Sequence, residues 1–456
     1  KKMKIKSIIL SVLAFTALMS CQKEGLDNPD NGQTGEKTFA GISISFPLEG
    51  DRSVSRAADD GNAIASEKAV KSVGIYIVDK AKRAIMQSAL LTAADFTVTN
   101  GICTVNKTIA TTTGVKLIYA VLNPSDEVKA QIASENGYVF TNARELSMTV
   151  DKFGLAWDAA TNRPKIDGTG ALTMSSDVAV EKTLTVMTEE EAKKNPIALK
   201  VQRNTAKVAV KDDAKLTVIG GESIGRMFTL AAIAKTSYLV QQKSGVNIIT
   251  PATIVPTDAG DLVTYFAKHY TALSKDETAY GKWNNVNSST ATNTTYNGYF
   301  ALENNVNAKH AGNTTAAIIK GNFTPTEVVL TADAAGNILT KGKGTRGASF
   351  YVQKSTNYYW STNAYNTYAT DDTKKAEFSK IYTSGVGYYR IWVQNTDKSK
   401  SVKRNSYYVL NITKINGPGS PEIPTDPVDP VEEDTQISVT IEILPWTMQG
   451  TDHEIS

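Results

Sequence analysis

Apolar residues in this chain return at every second position, in short runs rather than along helices. Val73-Gly74-Ile75-Tyr76-Ile77-Val78, Lys116 to Leu122, Ala198 to Val210, Lys215 to Ile219, Ser349 to Val352 and Tyr388 to Val393 are rich in Val, Ile, Thr and Tyr, and clusters of Gly, Asn, Asp and Ser separate them. A period of two gives a pleated strand one apolar face, which must be buried against a second layer. The expected fold is therefore all-β: two tandem Greek-key-like β-sandwich domains with minor helices, then a C-terminal strand on a proline-rich linker. Helix is expected only at Ser125 to Glu135 and at Thr188 to Lys194, where Thr188 caps a first turn of Glu189, Glu190 and Glu191 and Pro196 closes the turn. A boundary is expected near Asp212-Asp213, with Ile197 to Arg203 and Ala206 to Val210 as one long strand finishing the first domain. The expected domains are 57–212 and 213–416. Within the second of these, Lys282 to Asn297 reads as a solvated loop carrying Trp283 and Tyr296, and Trp157, Trp360 and Trp392 read as core or sheet-face residues.

The N-terminus has the three parts of an export signal in residues 1–20. Lys1, Lys2, Lys4 and Lys6 form a positive region, Ser7 to Met19 is apolar, and Leu18-Met19-Ser20-Cys21 has the form of a lipobox. The apolar run is shorter than the roughly 20 residues that a spanning helix needs, so it reads as a signal rather than an anchor. The motif needs the Cys21 thiol itself, because the diacylglycerol is carried on sulfur; a plain secretory signal with an incidental cysteine is the alternative. Gln22 in place of aspartate favours routing to the outer membrane. Gln22 to Lys37 is rich in Gly, Asn, Asp, Gln and Glu, a composition that buries no core and reads as a tether. With Cys21 lipidated, only Cys103 remains, so no intramolecular disulfide is available, and Cys103 reads as a small core residue. A net charge of +3 over 456 residues, with Lys and Arg spread throughout, gives no footprint for a nucleic-acid partner.

Two strands at opposite ends look alike. Ile437-Ser438-Val439-Thr440-Ile441-Glu442-Ile443 alternates strictly and ends in Pro445-Trp446, and a segment with Pro418, Pro421, Pro424, Pro427 and Pro430 precedes it. As extended polyproline, 417–434 would reach about 55 Å at about 3.1 Å per residue. Near the start, Ile42, Ile44 and Phe46 share one face of a matching strand, and Arg52 and Arg56 follow in a small, polar stretch suited to proteolysis. Cleavage there would remove the lipid anchor and the first strand as one unit, residues 21–56. A sandwich short of one strand exposes an apolar groove lined by unpaired backbone groups, which the C-terminal strand of a neighbour can fill by β-augmentation. Burying Ile437, Val439, Ile441 and Ile443 would contribute roughly 6 to 12 kcal/mol gross, at about 1.5 to 3 kcal/mol each.

Taken in order, these features resemble the type V fimbrillins of Bacteroidales, in particular the minor-fimbrium (Mfa-type) shaft subunits. The matching residues are the lipobox at Cys21, Arg56-Ala57, Arg203-Asn204-Thr205-Ala206-Lys207 closing the first domain, Asn405 to Ile415 before the proline-rich linker, and Val439 to Trp446 as the closing strand. The resemblance implies a lipoprotein precursor held at the outer membrane, matured at the cell surface by an Arg-specific protease and assembled into a fimbrial shaft by strand exchange. It also implies a homo-polymer with accessory anchor and tip subunits, contact with host proteins or other bacteria, and a part in adhesion and biofilm. A tip adhesin, or a monomeric surface lipoprotein that binds glycan or host protein, would share the signal and the sandwich; the proline-rich spacer and its solitary strand in 417–456 favour the shaft.

Enzyme motifs give way to turns. Gly221-Glu222-Ser223-Ile224-Gly225 has nucleophile-elbow spacing, but the chain offers only His269, His310 and His453 and no alternation of strands with helices, so a turn between antiparallel strands is expected. Gly342 to Gly347 has dinucleotide-fingerprint spacing but precedes a strand, and reads as a hairpin loop. Asp59-Asp60 and Asp371-Asp372 read as solvated turns. No enzyme activity, cofactor or metal is expected.

Overall fold

The computed structural model describes residues 35–45, 69–82, 84–99, 102–133, 149–155, 157–158, 163–164, 171–244, 247–251, 255–291, 298–306 and 308–445. The signal, Cys21, Phe46, Arg52, Arg56, Ala57, Tyr296 and Trp446 lie outside the described residues. The architecture is all-β with minor helix, as the alternation requires.

The first body contains β1 (Lys37–Ala40), β2 (Ile42–Ser45), β3 (Ser72–Asp79), β4 (Ala84–Thr92), β5 (Phe96–Thr99), β6 (Ile102–Val105), β7 (Ile109–Thr112), β8 (Gly114–Leu122), β9 (Thr149–Asp151), β10 (Trp157–Asp158), β11 (Arg163–Pro164), β12 (Met174–Ser176), β13 (Val180–Leu184) and β14 (Ile197–Arg203). One sheet runs β4-β3-β8-β12-β14-β2-β6-β5, with β13 beside β8 and β1 paired to β7. It closes over a core in which Ile75, Ile118 and Leu91 meet Ile42, Ile44, Cys103 and Leu199. The reverse face of β3 and β8 is buried too. Tyr76, Val78, Tyr119 and Val121 join Leu239, Phe266, Phe300 and Tyr407 of the second body in one continuous cluster. Strands covered on both faces read as unbroken apolar runs, so in Val73–Val78, read from the sequence as a period of two, the positions between are buried and apolar as well.

The second body contains β15 (Thr205–Val218), β16 (Gly221–Ala231), β17 (Thr236–Tyr238), β18 (Gln242–Ser244), β19 (Asn247–Ile249), β20 (Asn284–Asn285), β21 (Gly298–Leu302) and β22 (Ala316–Pro325); β17 pairs with β9 and β18 with β19, and the others form a two-layer sandwich with later strands that return to it. The chain then makes β23 (Val328–Ala332), β24 (Ile338–Gly342), β25 (Phe350–Gln353), β26 (Tyr359–Ser361) and β27 (Phe378–Tyr382), followed by β28 (Val386–Trp392), β29 (Ser406–Ile415) and β30 (Ile437–Pro445). Sheets β21-β15-β29-β30 and β20-β16-β22-β28 face each other across Val208, Phe228, Ile319, Tyr389 and Leu410. The expectation of two sandwiches did not include the third sheet, β24-β23-β26-β25-β27. It carries its own core of Trp360, Tyr368 and Phe378 under the helix Thr362–Tyr368.

Several local expectations meet the structure directly. The helices Asp126–Ala133 and Glu189–Lys194 form where expected, and Thr188 and Glu191 make a reciprocal capping box. Asp212 and Asp213 lie inside β15, and the chain passes from the first body to the second at Asn204, between β14 and β15. Ile197–Arg203 and Ala206–Val210 are thus two strands in different sheets, not one long strand. Residues 221–225 belong to β16, which pairs with β22 through a bulge at Ile224/Met227, and the turn is Ile219–Gly220. Because β15 and β16 lie in opposite sheets, that turn crosses between layers rather than closing a hairpin. The loop after Gly342 likewise joins β24 and β25, which are not neighbours. Trp283 is buried against Tyr280 and Ile423, not exposed on a loop; Trp360 and Trp392 are core, as expected.

Candidate assembly strands

Strand β2 is an inner strand. It runs parallel to β14, with Ile42 opposite Ile197 and Ile44 opposite Leu199, and antiparallel to β6, with Ile44 opposite Cys103. Ile42 and Ile44 are 1% and 0% exposed. The approach to it is fixed at Gly41, where a Cβ would sit 2.0 Å from the Ala192 carbonyl oxygen; only glycine lets the backbone pass. Thr38 of β1 donates its hydroxyl to the Thr185 carbonyl at 2.7 Å and accepts from the Met187 amide. Removing β1 and β2 would leave β14 and β6 each with an unpaired edge, across a floor that includes Ile75 and Val105. Cys103 faces that floor as a small core residue, and burial pushes its thiol up to about 11.

Strand β30 is an edge strand. Among the described residues it pairs only with β29, antiparallel, with Ile437 opposite Ile415, Val439 opposite Ile412, Ile441 opposite Leu410 and Ile443 opposite Tyr408. The odd positions face the sandwich core as the alternation requires, but only Ile437 is fully covered; Val439, Ile441 and Ile443 are half-buried. Leu444 is buried in the cluster that joins the two bodies.

The proline-rich segment corrects the expectation of an extended spacer. It lies across the second sandwich as a strap along β28. Tyr389 and Tyr382 donate their phenols to the carbonyls of Gly417 and Gly419 at 2.6 and 2.8 Å, and burial pushes both phenols up, so they stay protonated donors. Tyr388 and Ser420 exchange backbone hydrogen bonds, each 2.7 Å. Gly312 and Ala311 donate to the carbonyls of Pro427 and Asp429, His310 Nδ1 lies 3.1 Å from the Val428 carbonyl, and Trp392 Nε1 donates to Glu432 at 2.6 Å. Ile423 enters the cluster with Trp283, and Val431 packs with Trp392. None of these anchors was visible in the sequence; the one signal was the recurrence of single apolar residues among the prolines.

The segment 203–207 forms the joint between the bodies. Asn204 donates to Ser175 of the first body and to the Leu239 carbonyl of the second, at 2.9 and 2.6 Å. Arg404 donates to the same carbonyl and forms an ion pair with Glu303 at 3.0 Å, and both side chains are 1% exposed.

With this geometry in view, residues 380–452, from the end of the third sheet through β28, β29, the strap and β30, match the family model described as Major fimbrial subunit protein type IV, Fimbrillin, C-terminal. The match bears out the fimbrillin resemblance drawn from the sequence. No curated protein matches the chain. Among solved structures, a candidate cell adhesion protein from Parabacteroides distasonis is similar at 16% identity and TM-score 0.48, covering 90% of this chain and 99% of that one. A fimbrilin from Porphyromonas gingivalis is similar at 16% identity and TM-score 0.44, with 90% and 98% covered. The tip fimbrial protein Mfa3 from the same species gives 12% identity and TM-score 0.37, with 90% and 100% covered.

Proposed function

We propose that this chain is a non-enzymatic structural subunit of a bacterial surface fimbria, exported as a lipoprotein precursor and polymerised by donor-strand exchange. Cys21 carries the lipid that brings the precursor to the outer membrane. Cleavage after Arg56, with Arg52 as second choice, releases the anchor together with β1 and β2. The groove between β14 and β6 then accepts β30 of the next subunit, whose apolar face of Ile437, Val439, Ile441 and Ile443 replaces the face formed by Ile42, Ile44 and Phe46. The observation that carries this reading is the contrast in seating: the strand to be removed is bonded on both sides, and the strand to be given lies on an open edge with the same alternation. Accessory anchor and tip subunits would join the same series of grooves and strands, and an Arg-specific surface protease starts it. The fimbrillin match over 380–452 supports a shaft or adhesion role at the cell surface.

The test mixes purified precursor with trypsin and resolves the products on a non-boiled gel. A ladder of oligomers is expected. Complete cleavage at Arg56 that yields only monomer would remove strand exchange from consideration.

A further inference from the structure

We propose that 417–434 is a strap that stays on its own sandwich during assembly, so that β30 swings out about a two-residue pivot at Thr435-Gln436. This rests on the donor-strand reading above and specifies how the strand leaves. The strap and the strand are held by different parts of the molecule. The strap's partners are β28, the start of β22 and the segment 310–312, together with Lys275 and Lys400, which pair with Glu422 and Glu433 at 2.7 and 2.9 Å. Gly387 passes so close beneath it that a Cβ there would lie 1.6 Å from the Pro418 carbonyl oxygen. Strand β30, in contrast, is bonded along its backbone to β29, with its odd side chains on the sandwich core and Leu444 in the cluster between the bodies. Peeling β30 from β29 breaks none of the strap's bonds up to Arg390, whose amide donates to Asp434. What it does break at the root is a small set: Asn416 donating to the carbonyls of Gln436 and Thr435, and Gln436 donating to Asp434.

The pivot also fixes a direction. β29 starts beside the joint, where Asn405 donates to the Thr205 carbonyl, and runs parallel to β15 away from the first body. Ile437 stands opposite Ile415 at the remote end, and Pro445 stands opposite Ser406 near the joint. Docked, β30 points back toward its own first body. Turned about Thr435-Gln436, it projects beyond the remote end of the second sandwich by up to about 30 Å, at roughly 3.3 Å per residue. Subunits would therefore add end to end, the remote end of one second sandwich meeting the first body of the next copy.

Two engineered disulfides separate the strap from the strand, each in a soluble precursor in which Cys21 and Cys103 are alanine. His310 and Pro430 form an isolated antiparallel bridge, so His310→Cys with Pro430→Cys pins the strap. Asn411 and Thr440 are register partners, so Asn411→Cys with Thr440→Cys pins the strand. After trypsin under oxidising conditions, the strap-pinned protein is expected to form ladders without loss, and the strand-pinned protein to form none until reductant is added. A strap pin that blocks ladders until reduction shows that the strap must leave, and overturns the proposal. A strand pin that fails to block them overturns the donor-strand reading instead. Should the strap-pinned protein stay monomeric even when reduced, Tyr388→Cys with Ser420→Cys pins the other end of the strap and decides between the same two outcomes.

Discussion

Strands β2 and β30 share one pattern and occupy opposite kinds of seat. β2 has hydrogen-bonded neighbours on both sides and side chains at 1% and 0% exposure; β30 has one neighbour and three half-buried isoleucine or valine positions. An edge strand can leave without breaking a sheet in two, whereas an inner strand cannot. The difference suits one strand to be given up by peeling and the other only by cutting the chain that ties it in. It also means that the groove left by β2 offers an incoming strand two ladders of backbone bonds where β30 now has one.

Charge placed on each strand breaks or sustains that contrast most sharply. Ile44→Asp puts a carboxylate into the closed core with no partner, and should destabilise the precursor by at least about 4 kcal/mol. Ile441→Asp, half-buried at an edge, should cost the precursor only about 1 to 2 kcal/mol and yet abolish ladders after cleavage, because the same position becomes an inner one in the neighbour's groove. Urea unfolding of both precursors checks this; equal losses would mean that the two seats do not differ in energy. Leu444→Ala is the next largest. Leu444 anchors the end of β30 in the cluster between the bodies, so its truncation should lower precursor stability by about 2 kcal/mol while leaving ladder formation as fast as before or faster. A slower ladder with unchanged stability would assign Leu444 to the neighbour instead of to its own joint.

The alternation in Ile437–Ile443 made the strand and its inward face legible, because its even positions are polar. Edge and inner seats were not legible, since a strand's own sequence records which face is buried and not how many neighbours it bonds. The passage at Asn204 was hidden for a related reason: β14 and β15 alternate without a break, and only the joint made by Asn204, Ser175, Leu239 and Arg404 separates them. The strap was misread because proline density describes a free chain, whereas Ile423 and Val431 find pockets that exist only once β16, β22 and β28 are assembled. The third sheet had a local signal in the run Ser349 to Val352, which marks a strand but not the sheet it joins, and the helix Ala259–His269 had one in its Asp258 cap.

Cys103 reports on the same contrast without changing its energetics. Opposite Ile44 in the closed core, the thiol is covered and its ionisation suppressed. When β1 and β2 leave, it becomes part of an open groove, and maleimide labelling should accelerate by more than about tenfold, since each pKa unit recovered is a tenfold gain in thiolate. Capture of a neighbour's β30 should return it to the protected state. Labelling that is equally slow in cleaved monomer would mean that the groove does not open.

The smallest expected effect fixes the register. Thr440 is exposed on β30, and the matching positions of β2, Ser43 and Ser45, are half-exposed on the outer face of their sheet. Thr440→Lys should therefore change precursor stability by less than about 0.5 kcal/mol and leave ladders intact, since the lysine reaches solvent in either seat. Its value lies in the pairing with Ile441→Asp. A strand shifted by one residue turns every side chain to the other face. If Thr440→Lys blocked assembly and Ile441→Asp did not, β30 would enter the groove with its even face inward. That result would exclude the replacement of Ile42 and Ile44 by odd-numbered residues and leave the exchange itself standing.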